Sequence, residues 1–127
     1  MNDTIATLMT RQVRWVDMDD TVAQVETALS RDRLSWVPVL EGGRSIMGVI
    51  SGSDLLQFHA QNRDAASVRA WQLCSYKPIS VDQETPLSEV ARAMVERRVH
   101  HVVVTSGDAI VGVVSALDFV QAFVDRR

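Results

Sequence analysis

Cysteine is nearly missing from this chain, with Cys74 the single example among 127 residues. An internal disulfide is thereby excluded, and a reducing, cytoplasmic setting is the expectation. Long apolar runs are missing as well. Hydrophobic residues make up 46% of the chain, but charges interrupt them well short of the roughly 20 apolar residues that span a membrane. The opening Met-Asn-Asp-Thr lacks the basic-then-apolar order of a signal peptide. There is no excess of positive charge: 13 Lys+Arg stand against 16 Asp+Glu, for a formal charge of -3, and no basic stripe occurs. Neither nucleic acid nor a membrane is an expected partner. Also absent is any nucleophile or acid/base pair with a third orienting group, so no enzymatic activity and no catalytic residue is expected.

What is present is enough apolar material for one ordinary domain, or for two small halves that share a core. One stretch organises it. Gly48-Val49-Ile50-Ser51-Gly52-Ser53-Asp54 is followed sixty-four positions later by Gly112-Val113-Val114-Ser115-Ala116-Leu117-Asp118. Each copy reads as the end of a buried strand that turns at a Ser into a short helix carrying an Asp. Two readings of that Ser and Asp stand side by side. Ser is a favoured N-cap and Asp is welcome in a first turn. The same hydroxyl and carboxylate, beside free backbone N–H groups, also suit a phosphate and a sugar's hydroxyls.

The repeat extends across the chain. A shift of sixty-five sets Leu8 on Leu73, Val16-Asp17 on Val81-Asp82, Val25 on Val90, Ala28 on Ala93, and Val37-Pro38-Val39 on Val102-Val103-Val104. One residue is lost in the second copy at the turn Ser106-Gly107-Asp108-Ala109, where loss is tolerated. The organisation is therefore repeat one over residues 1–60, a polar linker over 61–67, and repeat two over 68–127. Each half reads α-β-α-β-β-α. Short helices are expected from Asp3 or Thr4 to Thr10 and from Val68 to Cys74, then brief strands at Trp15 to Asp17 and Ile79 to Val81. Asp20 and Thr85 are N-cap candidates for amphipathic helices bearing Val22, Val25, Ala28 and Leu29, and Leu87, Val90, Ala91, Met94 and Val95. Apolar hairpins follow, Trp36 to Leu40 with Ser45 to Ser51 and His101 to Thr105 with Ala109 to Ser115. The last helices run to Ala60 and Asp125. A half this small buries its sheet poorly by itself, and pairing two halves sheet to sheet would solve that.

The ordered set of Leu8-Met9, Val37-Pro38-Val39 and the doubled Gly-hydrophobic-hydrophobic-Ser-x-x-Asp resembles the tandem cystathionine beta-synthase (CBS) domain pair, or Bateman module, over about Thr4 to Val124. The resemblance implies an α/β fold of two repeats related by a pseudo-two-fold axis. It implies a regulatory module that binds AMP, ADP, ATP, S-adenosylmethionine or sometimes NAD in two clefts, with the motif Asp on ribose and the motif Ser near phosphate. Each cleft is completed by the other repeat. Cleft one would join Ser51 and Asp54 to Pro78, Ile79, Ser80, His100 and His101; cleft two would join Ser115 and Asp118 to Arg14, Trp15, Ser35 and Trp36. Family members often carry His-Arg where this chain has His100-His101, and Ser35-Trp36 takes that place in repeat one. Cleft one is therefore the expected nucleotide site.

Other readings of the same residues remain open. Trp15 and Trp36 suit a stacking platform, a core or a dimer contact equally. His100 and His101, adjacent on a strand, point to opposite faces and do not readily share a metal; no metal site is expected. Arg97-Arg98 reads either as a solvated helix end or as a pair reaching a phosphate, and Arg14 has the same two readings. The resemblance also implies a homodimer formed through helix faces such as Leu55-Leu56-Phe58 and Phe119-Val120-Phe123, and an enzyme or transporter that responds to the ligand. A ligand-free dimerisation or docking scaffold is the alternative.

Overall fold

The computed structural model describes residues 3–76 and 79–125. Pro78 lies outside them. A 3-10 turn (Ile5–Thr7) comes first, followed by β1 (Val16–Asp17), α1 (Val22–Asp32), β2 (Trp36–Glu41), β3 (Ser45–Ser51), α2 (Gly52–Ala60), α3 (Ala70–Leu73) and β4 (Ser75–Tyr76). The second half gives β5 (Ser80–Asp82), α4 (Leu87–Arg97), β6 (His101–Ser106), β7 (Ala109–Ser115) and α5 (Ala116–Asp125). These elements gather into two compact units, one holding residues 14–76 and the other residues 3–13 with 79–125. The units are not the sequence repeats: each repeat's opening segment packs with the body of the other.

In the continuous unit, a four-stranded sheet has the order β1-β2-β3-β4, with β1 parallel to β2 and the remaining pairs antiparallel. One face buries Val16, Val25, Leu29, Val37, Val39, Ile50, Ala70 and Cys74. The helix α1 begins at Thr21, whose side chain accepts the Gln24 N–H while Gln24 Oε1 accepts the Thr21 N–H. This reciprocal capping box corrects the expectation for Asp20, because only Thr21 has a Gln three residues on. Asp20 instead accepts the Asp17 N–H at 2.9 Å. The segment 61–67 also has a structural task, since the Ala65 carbonyl accepts the Ala23 N–H and the next residue along, Val68, accepts the Val22 N–H. Two of α1's free donors are thereby satisfied. His59 on α2 reaches Glu26 on α1, 2.7 Å away, so it is tied across helices as well as placed at a helix end.

In the composite unit, β5-β6-β7 form a three-stranded sheet with β5 parallel to β6. Its core buries Ile5, Met9, Val90, Met94, Val102, Val104, Val114 and Phe119. Val95, expected on the apolar face of α4, is 78% exposed; Leu87, Val90, Ala91 and Met94 already complete the inward stripe, and the next residue is turned about 100° away. The N-cap of α4 is Pro86, with no side-chain cap, rather than Thr85. The Thr85 carbonyl accepts the Ile5 N–H at 2.7 Å, and the Asp3 carbonyl accepts the Leu87 N–H at 2.8 Å.

The opening segments are less helical than their patterning suggests. Only Ile5–Thr7 and Ala70–Leu73 coil, because Thr10 and Ser75 are drawn into the neighbouring sheets as pairs of Val113 and Val49. The motif glycines make this approach possible. A Cβ on Gly48 would stand 2.3 Å from the Ser75 carbonyl oxygen, and one on Gly112 would stand 2.4 Å from Met9 Sδ. Each hairpin also bulges just after the glycine's partner, between Val39 and Leu40 and between Val104 and Thr105. Phe58 and Phe119, expected on exposed apolar faces, are buried at 1% and 8% exposure; Leu56, Val120 and Phe123 are exposed. No described helix is long and apolar enough to cross a membrane.

Candidate functional site

Each motif lies where a hairpin strand ends and a helix begins. Ser51 is the N-cap of α2, and its hydroxyl accepts the Asp54 N–H at 3.2 Å. Asp54 Oδ2 in turn accepts the Ser51 N–H at 2.8 Å and the Ser51 hydroxyl at 3.0 Å. In the second copy Asp118 Oδ2 accepts the Ser115 N–H at 2.8 Å and the Ser115 hydroxyl accepts the Asp118 N–H at 3.3 Å. Both motifs are thus capping boxes, with Asp where Glu or Gln is common. Among the described residues the second carboxylate oxygen of each Asp has no hydrogen-bond partner, and both aspartates are half-buried. An anionic acceptor held in place by its other oxygen is suited to two vicinal hydroxyls.

The start of each middle strand is fastened to the same helix start. Gly52 N–H donates to the Ser35 carbonyl and Ala116 N–H to the His100 carbonyl, each at 2.9 Å. Register then sets Trp36 opposite Ser51, and His101 opposite Ser115. Cross-strand partners share a sheet face. Ser51 and Asp54 are therefore grouped with Ser35 and Trp36 within the continuous unit, and Ser115 and Asp118 with His100 and His101 within the composite unit.

Differences in side chains make the two sites chemically unlike. Ser35 is exposed and Trp36 is 8% exposed. His100 is exposed and His101 half-buried, with ring centroids 6.5 Å apart at 83°. Ile79 packs on the composite core, its carbonyl accepting the Val103 N–H at 3.0 Å, and the exposed Ser80 opens β5. Arg14 is exposed and pairs with Asp32 at 3.8 Å. Trp15 is 48% exposed; its ring lies 3.1 Å from where Gly43 would carry a Cβ. It also borders an open depression of about 460 Å3 walled by Ala23, Gln24, Thr27 and Arg31 of α1. That contact with the helix wall has no signal in the sequence pattern.

Comparison with known proteins agrees with the duplicated architecture. The family model of the CBS domain matches the chain twice, at residues 5–60 and 70–125. The mitochondrial CBS domain-containing protein CBSX3 of Arabidopsis thaliana is 26% identical over 118 residues, which is 89% of this chain and 57% of that protein. The chain thus spans little more than half of that relative. The crystal structure of CBSX2 in complex with AMP superposes with a TM-score of 0.84 at 21% identity, covering 98% of this chain and 99% of the other. The CBS domain pair of protein MJ0100, solved with 5'-methylthioadenosine and S-adenosyl-L-methionine, gives 0.84 at 16% identity, covering 94% and 98%.

Proposed function

The chain belongs to the CBS-domain family, and from that premise we propose that it is a regulatory module that reversibly binds an adenosine-containing ligand: AMP, ADP, ATP or S-adenosylmethionine. The observation that carries the reading is the carboxylate oxygen of Asp54 and of Asp118 that has no partner among the described residues, each set at a helix start by a capping box. AMP in one structural neighbour and S-adenosylmethionine in another support the ligand class. In this reading Asp54 holds ribose and Ser51 approaches phosphate, with Pro78, Ile79, Ser80, His100 and His101 supplied by the other repeat. Ser115 and Asp118 with Arg14, Trp15, Ser35 and Trp36 make the second cleft, where a buried indole replaces an imidazole.

Mechanistically the chain performs no reaction. Ligand held between the repeats favours one relative orientation of the halves, by no more than its differential affinity for the two states. A partner, an enzyme or transporter in the cytoplasm, reads that shift, and a homodimer is the working assembly. The alternative, a ligand-free dimerisation or docking scaffold, is favoured by the fact that capping alone accounts for every side-chain hydrogen bond of Ser51 and Asp54 among the described residues.

Thermal unfolding with AMP, ADP, ATP and S-adenosylmethionine separates the two. At ~100 times the dissociation constant a bound ligand stabilises by about 2.7 kcal/mol. Flat responses to all four would leave the scaffold.

A further inference from the structure

Arg33 and Arg98 occupy equivalent places in the two repeats, and both have left-handed backbone, with φ of 53° and 55°. Each closes a helix. Arg33 N–H bonds back to the Ser30 carbonyl and Arg98 N–H to the Val95 carbonyl, while Leu34 and Val99 reach back to Leu29 and Met94. Glycine takes this position at almost no cost, and a residue with a Cβ does so against steric resistance. Both repeats nonetheless place an arginine side chain there.

Neither guanidinium has a hydrogen bond or ion pair among the described residues, although Arg14 and Arg31 at the same end of α1 both reach Asp32. What differs is the strand that follows. Arg98 lies two residues before His100, whose carbonyl holds the first N–H of α5, and three before His101, the register partner of Ser115. Arg33 leads instead to Ser35 and the buried Trp36. An imidazole is only partly charged at neutral pH, whereas a guanidinium is always charged and presents a fork that matches phosphate oxygens.

We propose that Arg98 is the phosphate-reading residue of the nucleotide site, supplying a permanent positive charge beside His100 and His101. The proposal rests on the nucleotide reading given above. It makes Arg98 a determinant of phosphate against no phosphate, with no part in adenine or ribose recognition. Arg33, before Ser35 and Trp36, is its inactive counterpart.

The test is calorimetric titration of the full chain with AMP and with adenosine, for the parent, Arg98→Gly and Arg33→Gly. Glycine relieves the left-handed backbone, so both variants should unfold at the parent's temperature or above it, which separates lost binding from lost folding. Arg98→Gly should weaken AMP at least ~10-fold, the scale of a hydrogen bond to a charged group, and leave adenosine unchanged. Arg33→Gly should leave both unchanged. Undiminished AMP binding by Arg98→Gly, or equal weakening by Arg33→Gly, overturns the assignment alone. A parent that binds neither probe overturns it together with the nucleotide reading.

Discussion

Thr10 and Val113 exchange two backbone hydrogen bonds, Thr10 N–H to the Val113 carbonyl at 2.9 Å and Val113 N–H to the Thr10 carbonyl at 3.1 Å. The pairing joins the chain's first decade to its last sheet. Ser75 and Val49 repeat the relationship in the other unit. Duplication has therefore produced two units that each borrow an opening segment from the other repeat, and the motif glycine is the residue that admits it.

Gly48→Ala should consequently destabilise more than Gly112→Ala. The added methyl at Gly48 meets the backbone oxygen of Ser75 at 2.3 Å, which yields only if the β4 strand moves. At Gly112 the nearest atoms belong to the Met9 side chain, at 2.4 and 2.7 Å, and its flexible end can give way. Overpacking costs about 1–3 kcal/mol, so Gly112→Ala should fall within that range and Gly48→Ala at its top or beyond. Denaturant unfolding of both variants checks the order; equal losses would contradict it.

Thr21→Ala should cost about 1 kcal/mol, the usual loss for an N-cap, since it removes the acceptor for the Gln24 N–H. Thr85→Ala should cost less, because α4 starts from Pro86 without a side-chain cap. The comparison is made by denaturant midpoint at constant slope.

The linker carries a pH signature. The Ser67 hydroxyl, and after it the Ala66 N–H, hold the Asp64 carboxyl below the ordinary carboxylate range. A depressed folded-state pKa gives stability that is present above the unfolded value of about 3.9 and lost as pH falls through the folded one. The stability difference between the parent and Asp64→Ala should thus hold from pH 7 to about 5 and shrink as the pH drops below 4. A difference that does not change down to pH 3 would show that the carboxylate's charge is not what orders the turn.

Much of this architecture is legible in the sequence because the repeat sets the positions of both hairpins and all four long helices independently of propensity. The ends of the hairpins and of α2 and α5 follow from Gly and Ser placement. The opening segments are not legible in the same way. Leu8-Met9 and Leu73-Cys74 have helical spacing, yet long-range pairing with Val113 and Val49 overrides it within a turn. Which repeat's core receives Ile5 is invisible too, since two equivalent apolar pockets look alike in one dimension. The capping Ser and Asp can be read from spacing, but their free oxygens cannot. Burial of Trp36 beside exposure of Trp15 depends on strand register, which alternation alone leaves undecided.

Asp54 and Asp118 each close a capping box, Asp54 also accepting the Ser51 hydroxyl, so each Ala variant should lose about 1 kcal/mol, Asp54→Ala the more. Calorimetric titration of AMP into the two variants therefore isolates the ligand contact from the cap, and it is the most direct test of the adenosyl-ligand site. Asp54→Ala is expected to lose AMP binding while Asp118→Ala keeps it. AMP binding by Asp54→Ala with the parent's affinity would contradict the account.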